Sequence, residues 1–246
     1  MLLVFTTREK LLHLLPKGGD IAEIGTFRGD FAQQILDVSE PSQLHLIDPW
    51  GHQTRADYQR DESNLPDSGH EGNLKIVRGR FADEIEEGRV VLHRDYSHRV
   101  AKDFEDHAYD WIYIDGMHTH DAVLGDLTGF ESKVKPGGLI LGHDYANYAG
   151  LEKQGYGVVE AVDEFVAQSR FDLVALTAEG HATYLLGDMS SPETTEFVLS
   201  KIIYNIPAVM EIMGYSGTMF RQKVVEFPNR EPRLLTSFSL GSSGER

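Results

Sequence analysis

Cysteine is absent from the 246-residue chain, which removes disulfides, thiolate nucleophiles, iron–sulfur clusters and cysteine-ligated zinc. Basic residues are scarce: 23 Lys and Arg stand against 39 Asp and Glu, a formal charge of −16. Nucleic-acid binding draws on a basic face that displaces counterions, so this balance argues against such a partner. There is no run of about 18 apolar residues, so no membrane-spanning helix is expected. The opening stretch MLLVFTTREKLLHLL has neither a basic leader nor a small-residue cleavage site. It reads as the start of a folded domain, and the expected location is cytoplasmic.

What remains is an ordinary globular composition, 41% hydrophobic and 25% charged, with no internal repeat. Leu11, Leu12, Leu14 and Leu15 form one apolar helical face, ended by Pro16 and the Gly18-Gly19 pair. From Asp20 onward, short apolar runs alternate with amphipathic stretches. Strands are expected at 21–25, 44–48, 90–94, 110–115 and 137–144. Helices are expected after Gly29, before Val90, over 97–106, from His120 to Val134 and over 158–168. The polar stretch 50–73 lacks periodicity and reads as a loop insertion. FDLVALT and ATYLLGD flank a turn at Glu179-Gly180 too short for a crossover, so they pair antiparallel. The architecture derived is an α/β fold: a mostly parallel sheet with one antiparallel strand at the end and helices on both faces. Residues 190–246 add one helix from Glu193 to about Asn205, and a Ser/Gly-rich end from Gly241 that reads as disordered.

In such a sheet, ligands bind beyond the carboxyl ends of the strands. After the first strand stands Glu23-Ile24-Gly25-Thr26-Phe27-Arg28-Gly29. Gly25 permits a tight turn, and Gly29 lets backbone approach a ligand at the following helix N-terminus. The G-x-x-x-G spacing is neither a dinucleotide fingerprint nor a P-loop, and it equally suits a plain strand–turn–helix. Asp48 ends the second strand, where an acidic side chain accepts from ribose hydroxyls; on its own it would also cap the turn before Pro49. Together the two suggest an adenosine-bearing ligand. Asp95-Tyr96-Ser97 follows the third strand and could line an adenine pocket. Asp115-Gly116-Met117-His118 and His143-Asp144 end two strands expected to be neighbours. Asp115, His143 and Asp144 then converge and can bind a divalent ion, unless Asp115 and Asp144 merely cap the segments that follow them: oxygen donors favour Mg²⁺ or Mn²⁺, and an imidazole leans towards Mn²⁺, Fe²⁺ or Zn²⁺. His118 is placed to act as a base. His120 is close to it. His13, His45, His52, His70, His93, His98, His107 and His181 show no ligand spacing and read as surface or packing residues.

From about Asp20 to Asp188 these motifs resemble a class I S-adenosylmethionine-dependent methyltransferase. EIGTFRG is similar to the first motif, LHLID to the acidic second, and VKPGGLILGHD to the strand after the Pro-Gly-Gly turn. IDGMHTHDAVLGDL followed by GGLILGHDY resembles a small-molecule O-methyltransferase subgroup. That subgroup includes macrolide-sugar methyltransferases and cephalosporin hydroxylase relatives; catechol O-methyltransferase is more distant. The resemblance implies a Rossmann-like, seven-stranded sheet with a reversed last strand. It implies that Glu23, Gly25, Thr26 and Gly29 cradle the methionine and ribose of S-adenosylmethionine, that Asp48 holds the ribose hydroxyls, and that Tyr96 and Ser97 meet the adenine. Asp115 would border the cofactor and, with Asp144, bind metal; His118 would be the general base.

His143 stands where that subgroup carries a carboxylate. Two readings follow: a metal site of Asp115, His143 and Asp144 holding Mg²⁺ or Mn²⁺, or metal-free deprotonation by His118 or His143. The expected function is O-methylation of a hydroxyl on a sugar, polyketide or other small molecule, in a domain spanning 1–189 with 190–246 as its extension. Segment 50–73 and the tail helix would cover the pocket, and Gly25→Val would fill cofactor space while sparing the fold. The alternatives are a hydroxylase-like redox enzyme and a non-catalytic cofactor-binding protein. The expected partner is a small-molecule acceptor, without nucleic acid or membrane; a homo-oligomer is compatible with this reading.

Overall fold

The computed structural model describes residues 1–59 and 61–239. The expectation of disorder from Gly241 lies outside the described residues. Strands β1 (Leu2–Val4), β2 (Asp20–Ile24), β3 (Gln43–Ile47), β4 (Val90–His93), β5 (Tyr109–Ile114), β6 (Val134–Tyr145), β7 (Asp172–Thr177), β8 (Ala182–Gly187) and β9 (Val209–Glu211) form one sheet. Its order is β4-β3-β2-β5-β6-β8-β7-β1-β9. β4, β3, β2, β5 and β6 are mutually parallel, and β8 runs against both β6 and β7. The mixed, mostly parallel sheet is as expected, with two differences. It has nine strands rather than seven, and the reversed strand β8 lies inside the sheet, between β6 and β7, while β1 continues the sheet beyond β7 and a second reversed strand, β9, closes it beyond β1.

The alternation along each strand explains the three layers. Ile21, Leu44, Leu46, Trp111, Tyr113, Leu139 and Leu141 point to one face. There they meet Leu11 and Leu12 of α1 (Arg8–Leu12), Phe31, Ile35 and Leu36 of α2 (Asp30–Ser39), and Leu74 and Val77 of α3 (Asp67–Arg80). Ile24, Ile47, Ile112, Ile114 and Ile140 point to the other. They meet Val100 of α5 (Ser97–Val100), Val123, Leu127 and Phe130 of α6 (His120–Phe130), and Val162 and Phe165 of α7 (Val158–Gln168). A short helix α4 (Ala82–Glu86) joins α3 to β4. Each such fully buried side chain contributes about 1.5–3 kcal/mol, so the double-sided pattern fixes both register and layer order.

Three local readings are corrected. The segment read as a loop over 50–73 is already helical from Asp67. Its Gly69, Gly72 and Asn73 are poor helix formers, and the helix is held by burial of His70, Leu74 and Val77. The tail helix α8 (Pro192–Phe197) runs on as a π-helix over Val198–Ile203. Beyond it the tail is not merely polar: it supplies β9 and a hairpin, β10 (Phe220–Phe227) with β11 (Arg230–Phe238). Among the described residues, no helix is long and apolar enough to cross a membrane.

Candidate active site

The carboxyl ends of β2, β3, β4 and β5 open into a cavity of about 690 Å³, roofed by residues of the 51–63 stretch. Gly25, Asp48, Tyr96, Ser97 and Asp115 line it; Glu23, Thr26 and Gly29 do not. Gly25 has φ +91°, and an added Cβ would stand 2.2 Å from the Asp115 carbonyl oxygen. The glycine is therefore required where the β2 and β5 loops cross, and Gly25→Val cannot spare the fold as expected. Gly29, with φ +75°, opens α2 and leaves no room for a Cβ against Phe81. Glu23 and Thr26 are buried, and among the described residues Glu23 Oε2 and Thr26 Oγ1 have no hydrogen-bond partner. Burial pushes the Glu23 carboxyl well above the usual range.

Asp48 accepts from the backbone N–H groups of Phe27 (2.8 Å) and Trp50 (2.6 Å), so it caps the turn and faces the cavity at once. Burial raises its carboxyl, and those N–H groups offset part of the rise. The tail helix α8 lines none of this cavity. It helps to form a separate apolar groove with Val162, Leu173 and Met1. The hairpin is the part of the tail that reaches this edge of the sheet. Gln222 accepts from Asn147 N and donates to the Gly180 carbonyl.

Beside the cavity, β5 and β6 bring Asp115, His143 and Asp144 together, each offering one ligand atom within 4.8 Å of the others. A bulge makes this possible: the β6–β8 register slips between Gly142 and Tyr145, and Asp144 takes φ +60°. The extra residue re-aims both side chains at the strand end. His143 Nδ1 lies 3.3 Å from Asp144 Oδ1 and 3.7 Å from Asp115 Oδ1. Burial would lower the His143 imidazole, but Asp144 and Asp115 outweigh it and the net shift is upward. Burial would raise Asp144, yet hydrogen bonds from His143 and His181 hold it below the usual carboxylate range. Asp115 is raised by burial, with His143 and Arg8 opposing.

His118 is 6% exposed. Its ring stacks on Tyr156 at 3.8 Å between centroids. Nε2 approaches Asp61 Oδ2 at 3.1 Å without hydrogen-bond alignment, and Nδ1 faces Asp144 Oδ2 at 4.0 Å.

Three participants escaped the sequence reading. Arg8 donates to Asp115 Oδ2 at 2.9 Å and lies over the Phe31 ring. Asp61 comes from the aperiodic insertion. His181, assigned above to surface or packing, donates from Nδ1 to Asp144 at 2.8 Å, while its Nε2 pairs with the Tyr148 hydroxyl at 3.0 Å. The one available signal concerned His181. An antiparallel strand begins at the edge where its parallel neighbours end, so the start of β8 had to lie near the end of β6.

A family model described as a methyltransferase domain matches residues 22–145, about half of the chain, from β2 to the end of β6. No curated protein matches the sequence. Among solved structures, an O-methyltransferase family protein from Burkholderia thailandensis is similar at TM-score 0.53 and 15% identity, over 75% of this chain and 55% of its own. The N-methyltransferase NodS from Bradyrhizobium japonicum WM9 gives 0.51 at 12% identity, over 74% and 94%. A candidate rRNA methylase from Clostridium thermocellum gives 0.51 at 15%, over 74% and 94%. These likenesses are of fold, and the fold selects no acceptor. The matched stretch holds the Gly25 turn, Asp48, Asp115 and the His143-Asp144 bulge, and the chain belongs to the methyltransferase-domain family, as a class I S-adenosylmethionine-dependent methyltransferase.

Proposed function

We propose that this enzyme methylates a hydroxyl oxygen of a small molecule, with the donor in the 690 Å³ cavity and the acceptor at the Asp115–His118–His143–Asp144 cluster. The observation that carries the reading is the double exposure of Asp115, which lines the cavity and pairs with His143. The cavity volume falls within the range of cofactor sites. Asp48 and the Ser97–Asp126 pair provide polar contacts for a ribose and a base. Bound there, S-adenosylmethionine supplies a methyl group on a sulfonium sulfur that departs as a neutral thioether. The chain supplies position and proton handling. Tyr156 holds the His118 ring in plane and Asp61 faces its Nε2. Nδ1 is then the nitrogen turned towards the cluster, and it takes the acceptor proton.

The donor set fits a divalent ion: two carboxylates and one imidazole, with Arg8 occupying only Oδ2 of Asp115. Asp115, His143 and Asp144 would hold Mg²⁺ or Mn²⁺, whose chemistry is to ease deprotonation of a coordinated hydroxyl. A metal-free reading is favoured by a different observation: Arg8 already neutralises Asp115, and His143 and His181 already meet Asp144. Residues 1–189 form the catalytic domain in this proposal, and 190–246 extend it. A net charge of −16 supports a small acceptor over RNA.

The test is calorimetry with S-adenosylhomocysteine, with Mn²⁺ present and after chelation, on wild type and His118→Gln. Binding by both proteins is expected, with turnover lost in the variant. Absence of nucleoside binding by wild type refutes the donor site. Full turnover by His118→Gln refutes the base, and turnover that survives chelation selects the metal-free reading.

A further inference from the structure

β9 closes the sheet at the end away from β4, and among the described residues no strand pairs with its outer edge. The sequence around it is unusual. From Ile202 to Phe220 it holds one charged residue, Glu211, in a chain that is 25% charged. Yet the stretch is not core: Tyr204 is 81% exposed, Met213 75% and Met210 51%. Phe5, whose N–H donates to the Ala208 carbonyl beside them, is 51% exposed. Missing charge combined with exposed Tyr, Phe and Met is the composition of an interface centre, not of free surface.

Register shows that these side chains belong together. Leu3 pairs with Met210 and Val4 with Val209, so by alternation Phe5 and Met210 share one face of the sheet. Leu199 and Ile203, four residues apart on the π-helix, share a groove with Glu211 of β9 and carry the apolar surface around the strand. At roughly 200 Å² for each large side chain, Phe5, Leu199, Ile203, Tyr204, Met210 and Met213 expose on the order of 700 Å² per molecule. Apolar patches on free monomers reach about 300–600 Å², and a stable pair of proteins buries about 800 Å² on each partner.

We propose that this edge joins two copies of the chain about a two-fold axis, β9 against β9 in antiparallel order. A second copy is the occupant because the edge complements itself. The Ala208 carbonyl and the Ile212 N–H are turned to β1, so by alternation Val209 and Glu211 turn their backbone groups outwards. Pairing centred on Met210 sets Val209 against the second copy's Glu211, and each such pair exchanges two backbone hydrogen bonds. The two Glu211 carboxylates are thereby kept apart. At a net charge of −16, copies repel one another except where charge is missing, and the same lack of charge leaves nothing to steer a charged partner to this face. The position also bears on the cluster. β1 lies between β7 and β9, and Arg8 leaves it to meet Asp115. Pairing through β9 braces the strand that delivers this cation.

The experiment is sedimentation velocity at micromolar concentration on the wild-type chain, on Tyr204→Glu combined with Met210→Lys, and on Val224→Lys, an exposed site on the hairpin. Wild type and Val224→Lys are expected at twice the 27.6 kDa chain mass, and the double variant at the single mass with its circular dichroism unchanged. A double variant that stays dimeric, or a dimer lost in Val224→Lys, places the interface elsewhere and overturns the proposal. Wild type that is monomeric even at hundreds of micromolar also overturns it, leaving the face to a different partner or to none. Should the double variant fail to fold, Met210→Cys decides, because the chain has no other cysteine. Residues facing each other at a non-hydrogen-bonded pair have Cα atoms about 4.5 Å apart, within disulfide reach. Mild oxidation is expected to link Met210→Cys into a covalent dimer and to leave Val224→Cys unlinked. Absence of the link in Met210→Cys, or equal linking of both variants, overturns the proposal.

Discussion

Acidification is expected to loosen the β3–β4 edge well before the carboxylates titrate. His45 on β3 is in register with Val91 and His93 on β4 with Ile47, so the two histidines are diagonal neighbours, and their rings share one hydrogen bond of 2.9 Å between Nδ1 and Nε2. A neutral pair satisfies that contact with one donor and one acceptor; a doubly protonated pair has no acceptor. Phe104 and Tyr109 pack edge-on against His45. Burial, then the neighbouring His93, pushes the His45 imidazole down from 6.5 to about 4. An unfolded chain protonates this ring below about pH 6.5, and the folded protein resists until about pH 4. The stabilisation is therefore complete above the unfolded value and lost as pH falls through the folded one. At 1.36 kcal/mol per pH unit, the loss is about 3 kcal/mol. Urea unfolding between about pH 7 and pH 4, on wild type and His45→Gln, measures it. The wild-type curve is expected to fall by that amount relative to the variant, with His93, also shifted down by burial, leaving a smaller slope behind. Parallel curves for the two proteins would refute the reasoning. Because β4 leads into Tyr96 and Ser97, the same acidification is expected to weaken nucleoside binding.

Gly25→Ala is expected to cost about 3 kcal/mol or more, because its Cβ meets the Asp115 carbonyl at 2.2 Å in a left-handed conformation. A variant with the wild-type melting temperature and only weaker ligand binding would contradict this. Arg8→Met strips the half-buried Asp115 of its guanidinium partner. A loss of about 1–2 kcal/mol in urea unfolding is expected, lower than for a fully buried pair because water reaches both groups. An unchanged midpoint would show that the ion pair contributes nothing.

The parts legible in the sequence are those where one physical signal dominates. Strands β2 to β6 are apolar on both faces, and Asp48, Asp115 and Asp144 follow such runs directly, so their edge was readable. β1 was not: Leu2, Leu3 and Val4 make a three-residue strand, too short to show a periodicity of its own. β10 and β11 mix charged with apolar residues and expose most of their side chains, so composition made them look unstructured. α3 begins with residues that disfavour helices, and only its packing reveals it. Arg8 and Asp61 reach the site from segments whose position depends wholly on tertiary contacts. No local pattern could announce them.

The seat of β1 bears on the order of assembly. This strand lies between β7 and β9, both drawn from the far end of the chain, with Leu2 beside Ala175 on one side and Glu211 on the other. An early segment thus waits for a late one, and contacts of such sequence separation form slowly because the loop must close first. Arg8 follows β1 directly, and its backbone N–H is held by Glu179, just past β7. The guanidinium beside Asp115 is therefore expected to arrive only after the sheet has been finished. The proposed site thereby doubles as a checkpoint: a partly folded molecule can own the cavity and the bulge, yet lacks the cation that completes the cluster.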